Sequence, residues 1–143
     1  MRRTLVLLVA LTAARLPAQQ PPSIPLPAAL ERVLRDYEQG WEKGDAAAVA
    51  RLFTTDGFAL PNGKPPAKGH AAIAAAYRGN AGPLRLRALS FATADSVGWI
   101  VGAYAYGERS SPDIGKFVLA LRKDPTGRWL IAADIDNASK SPS

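Results

Sequence analysis

Three side chains in this sequence have types and spacings that suit proton chemistry: Tyr37, Asp134 and Asp136. Tyr37 brings a phenol that donates a hydrogen bond. Asp134 and Asp136 end an apolar run, 129–133, and stand two residues apart. In a strand both carboxylates therefore point to one face, and Ile135 and Asn137 point to the other. A carboxylate enclosed by apolar walls has a raised pKa and works as an acid or base near neutrality. A strand end emerging into solvent, or an interface rim, is the plainer account of the same pair. Tyr37 and Trp41 lie one helical turn apart, as a pocket wall or as core with polar tips bonded to backbone. Phe58, Tyr104, Phe117 and Asn137 complete the expected ligand-binding set. Tyr104 and Tyr106 share a face that lines either the pocket or an interface. His70 is the only imidazole and is expected to face water beside Lys68 and Gly69. Asp56, followed by Gly57, is expected to form a turn. With no cysteine and one histidine, thiolate and His-rich metal sites are excluded. No metal and no cofactor are expected.

The elements that must hold these groups follow from periodicity. Leu30, Val33, Leu34, Tyr37 and Trp41 repeat at helical spacing, with charged residues on the opposite side. Pro27 suits the first turn of that helix, where a missing N–H costs nothing. Gly44 stops it, and Asp45 caps a second helix over 46–53. A short strand at 58–60 and a Pro/Gly loop follow, and then a third helix opens at Gly69 and runs through 71–77. From Leu84 onward the pattern is strand-like, over 84–94, 97–108, 115–123 and 128–137, with short connections that argue an antiparallel meander. The expected fold class is α+β: a cone-shaped fold with three N-terminal helices packed on a curved, mostly antiparallel sheet around an apolar pocket. The stretches 99–106 and 117–121 are apolar on both faces. That predicts cover for the outer sheet face as well, by a second copy, hence a homodimer through the sheet.

At 143 residues the chain holds one domain with a real core. Its start, MRRTLVLLVALTAARLPAQQ, has a basic n-region, an apolar h-region and a cleavage site after Ala18. Residues 1–18 are expected to be a signal peptide, giving a periplasmic or secreted protein with no stable membrane anchor after cleavage. An uncleaved anchor is the alternative. Cleavage removes Arg2, Arg3 and Arg15, so the formal charge falls from +6 to +3. The remaining basic residues are dispersed among acids, and no nucleic-acid partner is expected. Residues 19–27 read as a Pro-rich linker, extended and mobile, 28–138 as the domain, and 139–143 as a flexible tail.

The ordered features Trp41, Gly44-Asp45, Leu52-Phe53, Asp56, Gly69-x-x-x-Ile73 and the late GRWLIAADIDN strand together resemble the nuclear-transport-factor-2-like superfamily. The match is closest to its SnoaL-like branch. The resemblance covers residues 26–137 and implies a pocket reused for many purposes, so it does not decide function. Laid on the ketosteroid isomerase pattern, Tyr37 falls where that family keeps its oxyanion-hole tyrosine. The two acids which that mechanism needs fall near Leu60-Pro61 and Phe117, both apolar here, so the resemblance argues against steroid isomerisation. Three functions are consistent with these readings. The first is an exported domain binding a small apolar molecule in a cone pocket. The second is a lyase, isomerase or cyclase using Tyr37 with Asp134 or Asp136. The third is a dimerisation module with a vestigial pocket.

Overall fold

The computed structural model describes residues 20–108 and 110–139. The signal peptide expected at 1–18 and all but the first residue of the tail expected at 139–143 lie outside the described residues.

Helix α1, Ala28–Glu42, buries Leu30, Val33, Leu34 and Tyr37, the stripe expected from spacing. Its first turn hangs on the Pro27 carbonyl, which accepts from the N–H groups of Leu30 and Glu31. Gly44, at φ +67°, takes the left-handed conformation that lets the chain turn at once. Asp45 then caps α2, Ala46–Ala50, by accepting from the Ala48 N–H at 2.8 Å. This second helix is five residues long and ends before Phe53.

Strand β1, Phe53–Leu60, starts where a helix was expected to continue. Asp56-Gly57 lies inside it, at an irregularity in the pairing with β6, and makes no turn. A Cβ at Gly57 would meet the carbonyl oxygens of Ile131 and Thr54 at 3.0 Å, so glycine serves close backbone approach here. The two-residue β2, Ala67–Lys68, pairs antiparallel with β1 and leads into α3, Gly69–Tyr77. Four longer strands follow: β3, Leu84–Ala94; β4, Val97–Tyr106; β5, Gly115–Lys123; and β6, Trp129–Ala138. The sheet order is β2-β1-β6-β5-β4-β3. Only the β1–β6 pair is parallel among the described strands. The meander expected from Leu84 onward therefore holds from β3 to β6, and β1, outside that expectation, lies parallel beside the last strand.

Helix α1 packs on β3 and β6, α3 packs on β1, and α2 touches both helices. Phe53, Leu34, Ile100, Leu119 and Ile131 are fully buried between the layers. Bulges interrupt the β3–β4 register between Ala88 and Ser90, and the β5–β6 register between Ala120 and Leu121. Bulges bend the strands that carry them.

The open edge of the sheet at β3 is covered by the chain itself. Glu38 accepts from the Leu86 N–H at 2.6 Å, and Arg35 donates to the Leu86 carbonyl at 2.7 Å. Ile24 donates its N–H to the Ala88 carbonyl at 3.0 Å, and Arg87 donates to the Pro21 carbonyl at 2.8 Å. Ile24 and Leu26 pack against the core. The Pro-rich segment is extended, as expected, but it is laid along β3 and held there. Its prolines lack the N–H groups that an exposed edge would otherwise present.

Candidate functional site

Tyr37 on α1 donates its hydroxyl to Oδ2 of Asp134 on β6 at 3.0 Å. Tyr77, the last residue of α3, donates to the same oxygen at 3.3 Å. Among the described residues both hydrogen bonds to this carboxylate fall on Oδ2, and Oδ1 has none. Asp134 is only 6% exposed. Burial disfavours its charge and raises its pKa to about 7, the two phenols oppose that rise, and the Asp136 charge adds to it. Burial and the Asp134 charge together push both phenols up, so Tyr37 and Tyr77 stay protonated as donors.

Asp136 lies two residues along the same face of β6 and is half-buried. It accepts at Oδ1 from the Asn62 N–H. Burial raises its pKa, while that bond and the Lys64 charge hold it down. Ile135 and Asn137 are exposed, on the opposite face. The face assignment made for the two carboxylates is therefore correct.

A hollow opens beside these groups, lined by Tyr37, Trp41, Tyr104, Tyr106, Phe117, Asp134, Asp136 and the leucines at 84, 86 and 119. Its cavity volume is about 30 Å³, room for about two water molecules. With its mouth the empty space reaches about 380 Å³. The aromatic wall is continuous: Trp41 stacks on Tyr37 and on Tyr106, with ring centroids 6.3 Å apart in each pair. Tyr104 meets Tyr106 edge-on at 6.0 Å. The Trp41 indole N–H is buried and has no acceptor.

Glycines on the facing strands set two of these rings. Tyr104 lies opposite Gly115, and Phe117 lies opposite Gly102. A Cβ at either glycine would meet the ring across from it, so each ring lies flat over bare backbone. Phe117 is also directly opposite Asp136. The acid that is missing at Phe117 thus stands on the next strand, facing the same hollow.

No protein-family profile and no curated protein sequence matches the chain. A ketosteroid isomerase-like protein from Erwinia carotovora atroseptica superposes with a TM-score of 0.67 at 19% identity, over 80% of this chain and 96% of its own. An NTF2-like protein of unknown function from Shewanella oneidensis gives 0.62 at 23% identity, over 76% and 95%. One from Novosphingobium aromaticivorans, with a cystatin-like fold, gives 0.63 at 18% identity, over 80% and 82%. The chain has the nuclear transport factor 2-like fold.

Two expected ligand residues stand away from the hollow. Phe58 is 39% exposed, and Lys68 Nζ lies 5.3 Å from its ring centroid. The irregularity in β1 turns that side chain outward. Asn137 is exposed because it follows the outward phase of β6. His70 does not simply face water; it is half-buried, with Nε2 2.9 Å from the Phe53 carbonyl, and it fastens α3 to β1. Asp56 is exposed and pairs with Arg122 at 2.6 Å; the Thr54 hydroxyl first, and then Arg122, keep its carboxyl below the usual range. Tyr77 was not expected in the site. Its signal was a lone polar aromatic closing an alanine-rich helix, which only the α3 docking angle could convert into a contact. Tyr106, placed by sequence on the Tyr104 face, lines the hollow with it.

Proposed function

We propose that this protein binds one small molecule, with an apolar body, in the hollow between α1 and the sheet. The observation that carries this reading is a lined cavity with an unmatched polar atom. Asp134 Oδ1 has no hydrogen bond among the described residues, while the walls are aromatic and leucine. An acceptor left open in an apolar hollow suits a bound donor. Drug-sized sites occupy roughly 300–1,000 Å³, so the inner hollow takes one end of the ligand and the mouth takes the rest. The finer architecture belongs to the same reading: a SnoaL-like cone, with helices closing a bent sheet over the pocket. So do export through residues 1–18 to the periplasm or beyond, and pairing of two copies through the open sheet face. Native mass spectrometry and thermal-shift measurements against a panel of small apolar metabolites test the binding. A ligand that prefers the folded state raises its stability; no response across the panel rejects the reading.

A second reading is favoured by one observation, a carboxyl with a pKa near 7 bonded to Tyr37 inside the cavity. Such a group suits general acid–base catalysis, with Asp134 moving the proton and the phenols steadying its charge. The matching reaction class is proton abstraction beside a carbonyl, in a lyase, isomerase or cyclase. Deuterium exchange from solvent into small ketones, lost in Asp134→Asn, supports it. Equal exchange with and without the carboxylate rejects it.

A further inference from the structure

We infer that the molecule entering the hollow is a small organic cation, an amine or methylated ammonium. This rests on the reading of the hollow as a ligand site and names the ligand's chemistry.

The wall composition points to positive charge. Four rings with polar edges, Tyr37, Trp41, Tyr104 and Tyr106, surround the space together with Phe117. Trp41 lies roughly parallel to Tyr37 and Tyr106, at 18° and 20°, while Tyr104 stands at 63° to Tyr106. Walls at two orientations offer a compact guest more than one ring face, and aromatic faces attract cations. Two carboxylates share the lining, and no lysine, arginine or histidine does. The nearest basic influence on either acid is Lys64, acting on Asp136.

The polar atom left over defines the guest further. Asp134 Oδ1 is an acceptor without a donor among the described residues, inside a residue that is 6% exposed. An ammonium supplies the donor or, if fully methylated, the charge. A neutral hydrocarbon would leave that acceptor unmatched, and an anion would meet two carboxylates. Burial, and after it the Asp136 charge, raises the pKa values of Tyr104 and Tyr106, which keeps the surrounding phenols neutral. The inner volume of about 30 Å³ suits a head group and excludes a fused-ring body.

The test uses three probes on the purified protein at low salt: choline, tetramethylammonium, and the neutral analogue of choline in which a tert-butyl group replaces the trimethylammonium. Calorimetry and tryptophan fluorescence report binding. Choline is expected to bind about tenfold or more tightly than its neutral analogue, a difference that shrinks with salt. Asp136→Asn, whose half-exposed site tolerates the change, is expected to weaken choline at least several-fold with an unchanged circular dichroism spectrum. Trp41→Leu removes an aromatic face and is expected to weaken choline and tetramethylammonium alike, as read by calorimetry. Equal affinity for choline and its neutral analogue overturns the inference and leaves the small-ligand reading intact. Silence from the amines and from the apolar panel together overturns both.

Discussion

The Tyr37 hydroxyl and Oδ2 of Asp134 are joined by a 3.0 Å hydrogen bond across 97 positions of sequence. It ties α1 to β6 through the interior, where a lone carboxylate would be expensive. Tyr77 adds a second phenol from α3. One carboxylate oxygen thus joins both longer helices to the last strand. The other oxygen is left to the hollow.

The pH dependence of stability follows with a definite sign. The Asp134 pKa rises from an ordinary 3.8 to about 7 on folding. Between those values the native state holds a proton that the unfolded chain has released, so stability falls as pH rises. The effect is fully favourable below pH 4 and spent above pH 7. The loss across this window is on the order of 2–4 kcal/mol. Asp56 and Asp124, whose pKa values are lowered, pull the other way. The measurement is therefore a comparison of urea unfolding for the protein and Asp134→Asn from pH 4 to 8. The wild-type curve should fall relative to the variant across that range; parallel curves would refute the assignment.

Tyr37→Phe should cost more at alkaline than at acid pH. Above pH 7 the lost bond went to a charged carboxylate, worth roughly 1.5–3 kcal/mol, and below pH 5 to a neutral acid, worth about 1 kcal/mol. Tyr77 keeps its own bond and limits both losses. Chemical denaturation at the two pH values checks this, and a pH-independent penalty would count against it. The same variant should raise the Asp134 pKa further, visible in the carboxyl carbon shift by NMR.

Much of this site could be read from residue order because strands have a period of two. The pairing of Asp134 with Asp136, and of Tyr104 with Tyr106, needed only that period. The bounds of β3 and β5 were legible because apolar stretches meet turn residues there. What escaped were features set by tertiary docking. Asp56-Gly57 has the residues of a turn, yet strand pairing with β6 absorbs it as an irregularity and carries Phe58 outward. Tyr77 reaches Asp134 only because α3 packs at one particular angle. Ala103 and Ala105, in the stretch read as apolar on both faces, lie opposite Arg87 and Arg85 and are buried, a cover that the sequence pattern alone did not reveal.

Gly115→Ala should disturb the hollow through one ring. The new methyl would meet the hydroxyl end of the Tyr104 ring, which rests on that backbone. The ring must tilt, and a forced shift in a packed layer typically costs about 1–3 kcal/mol. We expect a lower melting temperature and weaker binding of any ligand of the hollow, and a stability cost that falls when Gly115→Ala is made in a Tyr104→Ala background. A variant with unchanged stability would show that the ring is free to move.

The outer face of the sheet carries the last prediction. Val101, Val118 and Ile135 stand opposite one another on three adjacent strands, and Ile135 is opposite Leu60 on a fourth. Val118 is 40% exposed, Ile135 45% and Trp99 39%. Apolar side chains in register on neighbouring strands, about 4.8 Å apart, form a continuous band. Such a band is stable in water when another surface covers it. A second copy is the proposed cover, since a two-fold axis pairs one band with another like it. Ile135→Glu sets two like charges close together across that axis and should give a monomer whose circular dichroism is unchanged. Multi-angle light scattering distinguishes the masses. A wild-type protein that runs at monomer mass at micromolar concentration would leave the band without its proposed partner.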